Sequence, residues 1–403
     1  MNDKLSYWLL LAFAFSFPFG NIYGTVIIIL LSILWLLSGN IFSKLKQALA
    51  QPLFLSYTLL FFLQFPWLLN TWDMARGLYL IQCNASMFAL PLIILTSENR
   101  RLHLNKNNIP FALIIGCVVA SLASMYIAFF KFGETSDPAV FFYTRLSADF
   151  YHPGFMSVQF SLAVIFLLLD IFGVNKIFTS GRITLKVAVA VWLFLFIIFL
   201  SSKIGLVCLI LILIATITYV LRKTGSNFIR LMVLVIPLLL ALIIWESDFQ
   251  VRLKSAFNTL SSNENLDGKL ESTATRITAI KTTLELIQNN WIAGVGTGDV
   301  WSDLRRSYFV DGKSACLKER VIPHNQFLNS LAKHGIAGLT ALLLLLVLPL
   351  IFSVRKKYMA GLCFMILIIL NCMVEDVFEV QNGVVFTSFF YSLIFLIPEY
   401  RET

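Results

Sequence analysis

Ile336-Ala-Gly-Leu-Thr-Ala-Leu-Leu-Leu-Leu-Leu-Val-Leu-Pro-Leu-Ile-Phe-Ser353 runs without a charge and ends on Val354-Arg355-Lys356-Lys357. A helix that crosses the hydrocarbon core of a bilayer needs about 20 apolar residues, and a basic cluster just beyond such a run marks its cytoplasmic end. The stretch therefore predicts a transmembrane helix and its direction. Similar apolar runs occupy roughly 7–20, 22–38, 53–69, 77–96, 110–130, 153–173, 185–200, 203–221, 231–245, 358–374 and 383–397. Composition agrees: of 403 residues 58% are hydrophobic and 13% charged, with mean hydropathy +0.82. A soluble chain carries about 25% charged residues, so a soluble enzyme and a disordered chain are both excluded. The expected fold is an all-α polytopic membrane protein of about 12 transmembrane helices.

The formal net charge of +9 does not indicate nucleic-acid binding, because its surplus falls on one side of the spans. Lys44/Lys46, Arg100/Arg101/Lys106, Lys176/Arg182/Lys186, Arg222/Lys223/Arg230 and Arg355/Lys356/Lys357 share that side with both termini. The positive-inside rule makes it cytoplasmic. The first apolar run feeds directly into a second, which is not the pattern of a cleaved signal peptide. The opposite face carries short turns, a loop from Lys131 to Tyr151 and one long polar segment, 246–335. The expected organisation is a membrane bundle over 1–245, a periplasmic helical loop domain over 246–335 and further spans over 336–403. Within the loop, Ile277, Ile280, Leu284 and Ile287 recur at helical spacing, Ser272 or Thr273 suits a helix start, and a second helix is expected from Pro323–His324. Five cysteines lie in apolar runs and Cys316 stands alone in the loop, so no disulfide framework is predicted.

Three polar clusters fall on the non-cytoplasmic face. One is Arg276 with Trp291 and the run Gly294-Val-Gly296-Thr-Gly298-Asp299. That run lacks the strand and βαβ unit of a dinucleotide site; a tight turn and an anion-binding backbone nest remain equal readings. The second is Pro323-His324-Asn325-Gln326-Phe327-Leu328, ending in Lys333-His334-Gly335. A helix N-terminus disfavours imidazolium, and a neutral imidazole is what a general base requires, which singles out His324. His152, in Tyr151-His152-Pro153-Gly154 at the mouth of a span, is a second candidate, while His334 reads as structural and His103 as cytoplasmic. The third cluster is Lys203, between two apolar runs, where a cation is a functional hypothesis by default and snorkelling is the alternative. Two cations and a base suit a substrate bearing pyrophosphate. No metal site is predicted: there is no paired-histidine or CxxC spacing, and Glu375-Asp376 with Glu379 reads as a solvated acidic turn rather than a Mg²⁺ site.

From Arg276 to Gly338, the order of arginine, amphipathic helix, Trp291, Gly-x-Gly-x-Gly turn and His-Asn-x-Phe-Leu…Gly-Ile-Ala-Gly resembles the O-antigen ligase and polymerase superfamily. So do the Ser-Ser-Lys-Ile-Gly junction and the plan of about twelve spans with a late periplasmic loop. The resemblance implies a GT-C-type, metal-independent, inverting glycosyltransferase of the bacterial inner membrane that uses no cofactor. Its donor would be an undecaprenyl-pyrophosphate-linked glycan, and its acceptor lipid A–core for a ligase or a second lipid-linked glycan for a polymerase. His324 maps onto the family's histidine as general base or acceptor-orienting residue, and Arg276 onto its loop arginine as pyrophosphate ligand. Lys203 stands where the family usually has arginine, which keeps the charge but loses the bidentate fork. Asn325, Gly296, Gly298 and His152 are further substrate-binding candidates. Membrane lipids are the other expected partners. A lipid-linked glycan transporter or flippase is the rival reading, but its midplane charges and repeated halves are not seen in the sequence.

Overall fold

A computed structural model describes residues 3–97, 102, 105, 107–147, 150, 152–174, 182–200 and 272–397. Among these residues every regular element is a helix, with no strand. In lipid every backbone N–H and C=O must be satisfied within the segment, which leaves the helix as the solution for a single apolar run. Helices α1 (Asp3–Ser16), α2 (Asn21–Leu37), α3 (Ile41–Leu49), α4 (Pro52–Phe62), α5 (Gln64–Trp67), α6 (Met74–Asn84) and α7 (Ser86–Leu95) form the first part. They are followed by α8 (Asn108–Thr135), α9 (Tyr143–Ser147), α10 (Pro153–Ile171) and α11 (Ile183–Phe199). Helices α12 (Ser272–Asn290), α13 (Val300–Val310), α14 (Ser314–Glu319), α15 (Gln326–Arg355), α16 (Met359–Val374) and α17 (Gln381–Tyr391) complete the chain.

Among the described residues, five segments are long and apolar enough to cross a membrane: Pro52–Asn70, Met74–Leu95, Asn108–Thr135, Pro153–Ile171 and Gln326–Arg355. A sixth is the pair α2–α3, bent by 112°, and four shorter apolar helices accompany them. The chain is thus a polytopic helical membrane protein. The runs expected at 203–221 and 231–245 lie outside the described residues, so twelve is not reached here. Two features depart from the uniform spans expected. The 77–96 run is two helices meeting at Ala85, and the 22–38 run turns sharply into α3. Helix α3 presents Phe42 outward and folds Lys44 back over the Trp35 ring.

The most buried span is α10, which is packed between α8, α11 and α16. Its neighbours close a core rich in aromatic rings. Phe13 and Phe17 of the N-terminal region meet Phe386, Phe389 and Phe390 of α17 at centroid distances of 4.8–5.6 Å. Tyr57 stacks on Tyr391 at 4.1 Å, and both hydroxyls are used, one with Ser388 Oγ at 2.9 Å and one on Leu53 O at 2.9 Å. In a membrane, packing and hydrogen bonds hold helices together, since lipid is as apolar as the core. Aromatic pairs contribute about 0.5–1.5 kcal/mol each beyond burial.

A second, smaller core lies apart from this one: Ala279, Ile287, Val300, Leu304, Tyr308, Cys316, Val321 and Ala332. It joins α12, α13 and α14 to the start of α15. The face that α12 turns inward matches the predicted one only in part: Ile287 is buried and Ile277 and Ile280 are partly buried, but threonines supply most of it. Leu284 is exposed, and Thr275, Thr278, Ala279, Thr282 and Thr283 are buried. Thr282 and Thr283 donate to the carbonyls of Thr278 and Ala279 at 3.0 and 2.7 Å, so a polar face becomes self-satisfied and small enough for close packing.

Helix α15 is two helices in series, because Gly335 has φ 60°, ψ −151°. The first piece, 326–334, runs along the turn between α16 and α17, and the second, 336–355, continues as the span. The break is braced by the 294–298 run, where Val295 and Gly296 donate to Ala332 O and Lys333 O at 2.9 and 3.0 Å. A Cβ at Gly335 would overlap the Ile292 carbonyl. Gly335→Ala is therefore expected to cost about 1–3 kcal/mol and to lower the unfolding temperature of the detergent-solubilised protein.

Candidate active site

His324 sits two residues before α15. Asn325 is the N-cap: its Oδ1 accepts from Leu328 N at 3.0 Å while its Nδ2 donates to Met373 O at 3.1 Å. The helix thus begins at Gln326, two residues later than Pro323–His324 suggested. Gln326 Oε1 accepts from Phe378 N at 2.8 Å, and Lys333 pairs with Glu379. Asn325, Gln326 and Lys333 fasten the 326–334 helix along the 373–379 segment. His324 itself adopts φ 46°, a left-handed conformation uncommon outside glycine, though histidine is among the residues enriched there.

Its imidazole meets Glu375. Nδ1 lies 3.3 Å from Glu375 Oε2, and the other carboxylate oxygen is 3.9 Å from Arg276 Nη2. A carboxylate can only accept, so this contact places a proton on Nδ1, and in the neutral ring the lone pair is on Nε2. Arg276, near the start of α12, is about half exposed and Glu375 one-fifth exposed. The start of α10 is close as well, since a Cβ on Gly154 would lie 3.9 Å from Glu375 Oε1. There His152 is the N-cap, its Nδ1 accepting from Gly154 N at 3.3 Å. Arg276, His324 and the His152–Gly154 turn, from three distant parts of the chain, thus gather around one carboxylate. Lys203 lies outside the described residues, as does His103.

Sequence reasoning passed over Glu375 by reading 375–379 as solvated. The acidic turn is in fact enclosed: Asp376 is 3% exposed, and Glu379 is bound to the buried Lys333. The available signal was three carboxyls within five residues, set between two apolar runs where charge is expensive. Burial, then the neighbouring Glu379, pushes Asp376 up to about 7, while His324 and Asn329 pull the other way. The sign follows. The folded state holds this proton between about pH 4 and 7 while an unfolded chain releases it, so stability falls as pH rises through that window. Asp376→Asn should raise the unfolding temperature relative to wild type at pH 8, and the difference should vanish near pH 4.

The glycine run is occupied by the protein itself. Besides the amides of Val295 and Gly296, that of Thr297 donates to Thr71 Oγ1 at 2.8 Å, and Gly298 abuts the backbone of Asp73 and Gly77. Asp299 accepts from Trp72 N and Asp73 N at 3.0 and 2.8 Å. These contacts describe a packed turn locked onto the 64–73 segment, and they leave few amides to face an anion. Thr297 also reaches the buried His334, whose Nε2 is 3.2 Å from its hydroxyl. Among the described residues, no group of three His, Cys, Asp or Glu side chains is placed to hold a metal ion.

Residues 188–343 match the family model described as O-antigen ligase. The match takes in Arg276, the glycine run and His324, and ends within the span that follows Gly335. It supports a ligase- or polymerase-type activity on lipid-linked glycans in a multi-pass membrane protein. Glu375, which joins Arg276 to His324, lies C-terminal to the matched segment. No curated protein matches the chain significantly.

Proposed function

We propose that the protein is an inner-membrane glycosyltransferase that moves a glycan from undecaprenyl pyrophosphate to an acceptor hydroxyl on the periplasmic side. The single observation that carries this reading is the convergence of His324 and Arg276 on Glu375. It supplies a base and a cation from one corner. His324 Nε2 takes the acceptor proton as the oxygen attacks the anomeric carbon. The bond from that carbon to the pyrophosphate oxygen breaks, and Arg276 together with Lys203 neutralises the departing charge. Direct displacement inverts the anomeric centre. The reaction uses no metal in this scheme, because two cations and a good leaving group meet its electrostatic demand. Lipid A–core is the proposed acceptor, as for a ligase, and a polymerase acting on a second lipid-linked glycan is the alternative. A gel of surface polysaccharide from a deletion strain separates them: a ligase deletion loses all capped lipid A–core, whereas a polymerase deletion retains single-repeat caps.

The sidedness is tested by labelling. Cysteines introduced within 246–335 should react with an impermeant thiol reagent from the periplasm, and those at 355–357 should not. Reversed labelling would overturn the scheme, because the site would then face the cytoplasm. For Lys203, a point charge on pyrophosphate predicts that Lys203→Arg keeps substantial turnover while Lys203→Met loses donor binding. A merely snorkelling lysine predicts mild effects for both in a titration of donor.

A further inference from the structure

We infer that the loop after α12 is seated in the lipid interface through Trp291 and Ile292, and that phospholipid is the partner this surface fits. Both side chains turn outward, 52% and 62% exposed. Two contacts fix how deep they lie. Trp67 belongs to the membrane-crossing segment Pro52–Asn70 and stands less than one helical turn before its end. Its indole Nε1 donates to Ala293 O at 2.5 Å, and Asn70 Nδ2 reaches Gly294 O at 3.5 Å. On its other side the loop packs on Gly335, where a Cβ would lie 2.1 Å from Ile292 O. Gly335 marks the break at which the 336–355 span begins. The backbone of 292–294 is thus pinned between the ends of two spans. Side chains that point outward at that level meet lipid headgroups and the upper acyl chains, not open water.

The chemistry of the corner agrees. No charged residue occurs between Glu285 and Asp299, and charge is costly in lipid. Tryptophan is enriched at membrane–water interfaces, where its apolar ring and polar N–H are both accommodated. Beyond Trp67, Leu69 is 92% and Trp72 68% exposed, in or beside the turn that links two membrane-crossing segments. Arg76, in the first turn of α6, lies 5.0 Å over the Tyr79 ring. Both are exposed, which sets a guanidinium at the level of lipid phosphates.

A consequence follows for α12. Its other end carries Arg276, which faces Glu375 just beyond the end of α16. About 21 Å of helix separates Arg276 from Asn290. With both ends tied to the ends of spans, α12 lies along the membrane surface instead of rising from it. If the proposed function holds, this keeps Arg276 where a lipid-linked pyrophosphate emerges from the bilayer. The seating itself does not depend on that reading.

The test uses the full-length protein in vesicles of phosphatidylethanolamine and phosphatidylglycerol that contain a phospholipid with a diazirine at the top of one acyl chain. After illumination, peptide mass spectrometry should find lipid adducts on Trp291 or Ile292 at yields comparable with those on Leu69. Trp291→Ser combined with Ile292→Ser should lose the adduct on this loop and keep the one on Leu69. That variant retains the contacts that pin the loop, because they run through backbone carbonyls. Adducts on Leu69 with none on 291–292 of the wild type would place the loop in water and overturn the inference. Undiminished adducts in the double variant would overturn it too, by removing these side chains from the lipid contact. A second copy of the chain is the rival occupant. With p-benzoylphenylalanine in place of Ile292, capture of phospholipid supports the inference, and a crosslinked dimer would overturn it. No arm uses a glycan, so a seated loop in a protein that transfers none upholds the inference and removes only the transferase reading.

Discussion

His324→Ala lowers glycan transfer by at least about 10²-fold, the usual scale for a positioned general base, and leaves donor binding largely intact. The side chain is one-third exposed, so its loss opens no core cavity. The backbone at this position is left-handed, which alanine adopts less readily than histidine or asparagine. His324→Asn is therefore the better control for shape. It accepts the same φ and keeps a polar side chain but cannot take a proton near neutral pH. Both variants should lose turnover together, while His324→Asn keeps the wild-type unfolding temperature. Near-normal turnover in a stably inserted His324→Asn protein would make the residue structural.

Glu375→Gln should be nearly as damaging, with a loss of roughly 10²-fold or more, although only one atom changes. The Glu375 carboxylate holds the imidazole proton on Nδ1 and faces Arg276 with its other oxygen. A glutamine amide can instead donate to Nδ1, which moves the proton to Nε2 and removes the base. The same principle makes an Asp-to-Asn change costly in serine protease triads through the wrong tautomer. The defect should appear in kcat and persist at saturating donor. Arg276→Ala should differ by raising the donor concentration needed for half-maximal rate, because its guanidinium is assigned to the leaving pyrophosphate.

How far the chain could be read without coordinates differs by level. The apolar runs within the described residues are helical because lipid leaves the backbone no other local solution. Breaks inside them were not legible. The Gly335 interruption is braced by the 292–296 segment from elsewhere in the chain, while the bend after α2 falls on the left-handed Gly39 and Asn40, and hydropathy records neither. The inward face of α12 was foreseen at Ile287 but not at its threonines, which bond to their own helix's carbonyls and pack inward. At the site, His324 and Arg276 stood out as polar residues in a long loop between spans. Their meeting could not be foreseen, since Glu375 lies 51 residues beyond His324 and in another turn. That turn was read as solvated because charged residues between spans usually face water. The glycine run was equally open to a nest or a turn until its amides were seen bonding to the end of the 326–334 helix.

The central claim is that this corner performs glycan transfer from a lipid-linked pyrophosphate donor. The most direct measurement is transfer in proteoliposomes of the purified protein, supplied with undecaprenyl-pyrophosphate-linked glycan and lipid A–core and read as a mass shift of the acceptor. The account predicts a shifted acceptor with wild-type protein and no added metal, and at least about 10²-fold less product with His324→Asn or Glu375→Gln. Product formed equally by wild type and both variants, or no product from wild type with either lipid A–core or a second lipid-linked glycan as acceptor, would contradict it.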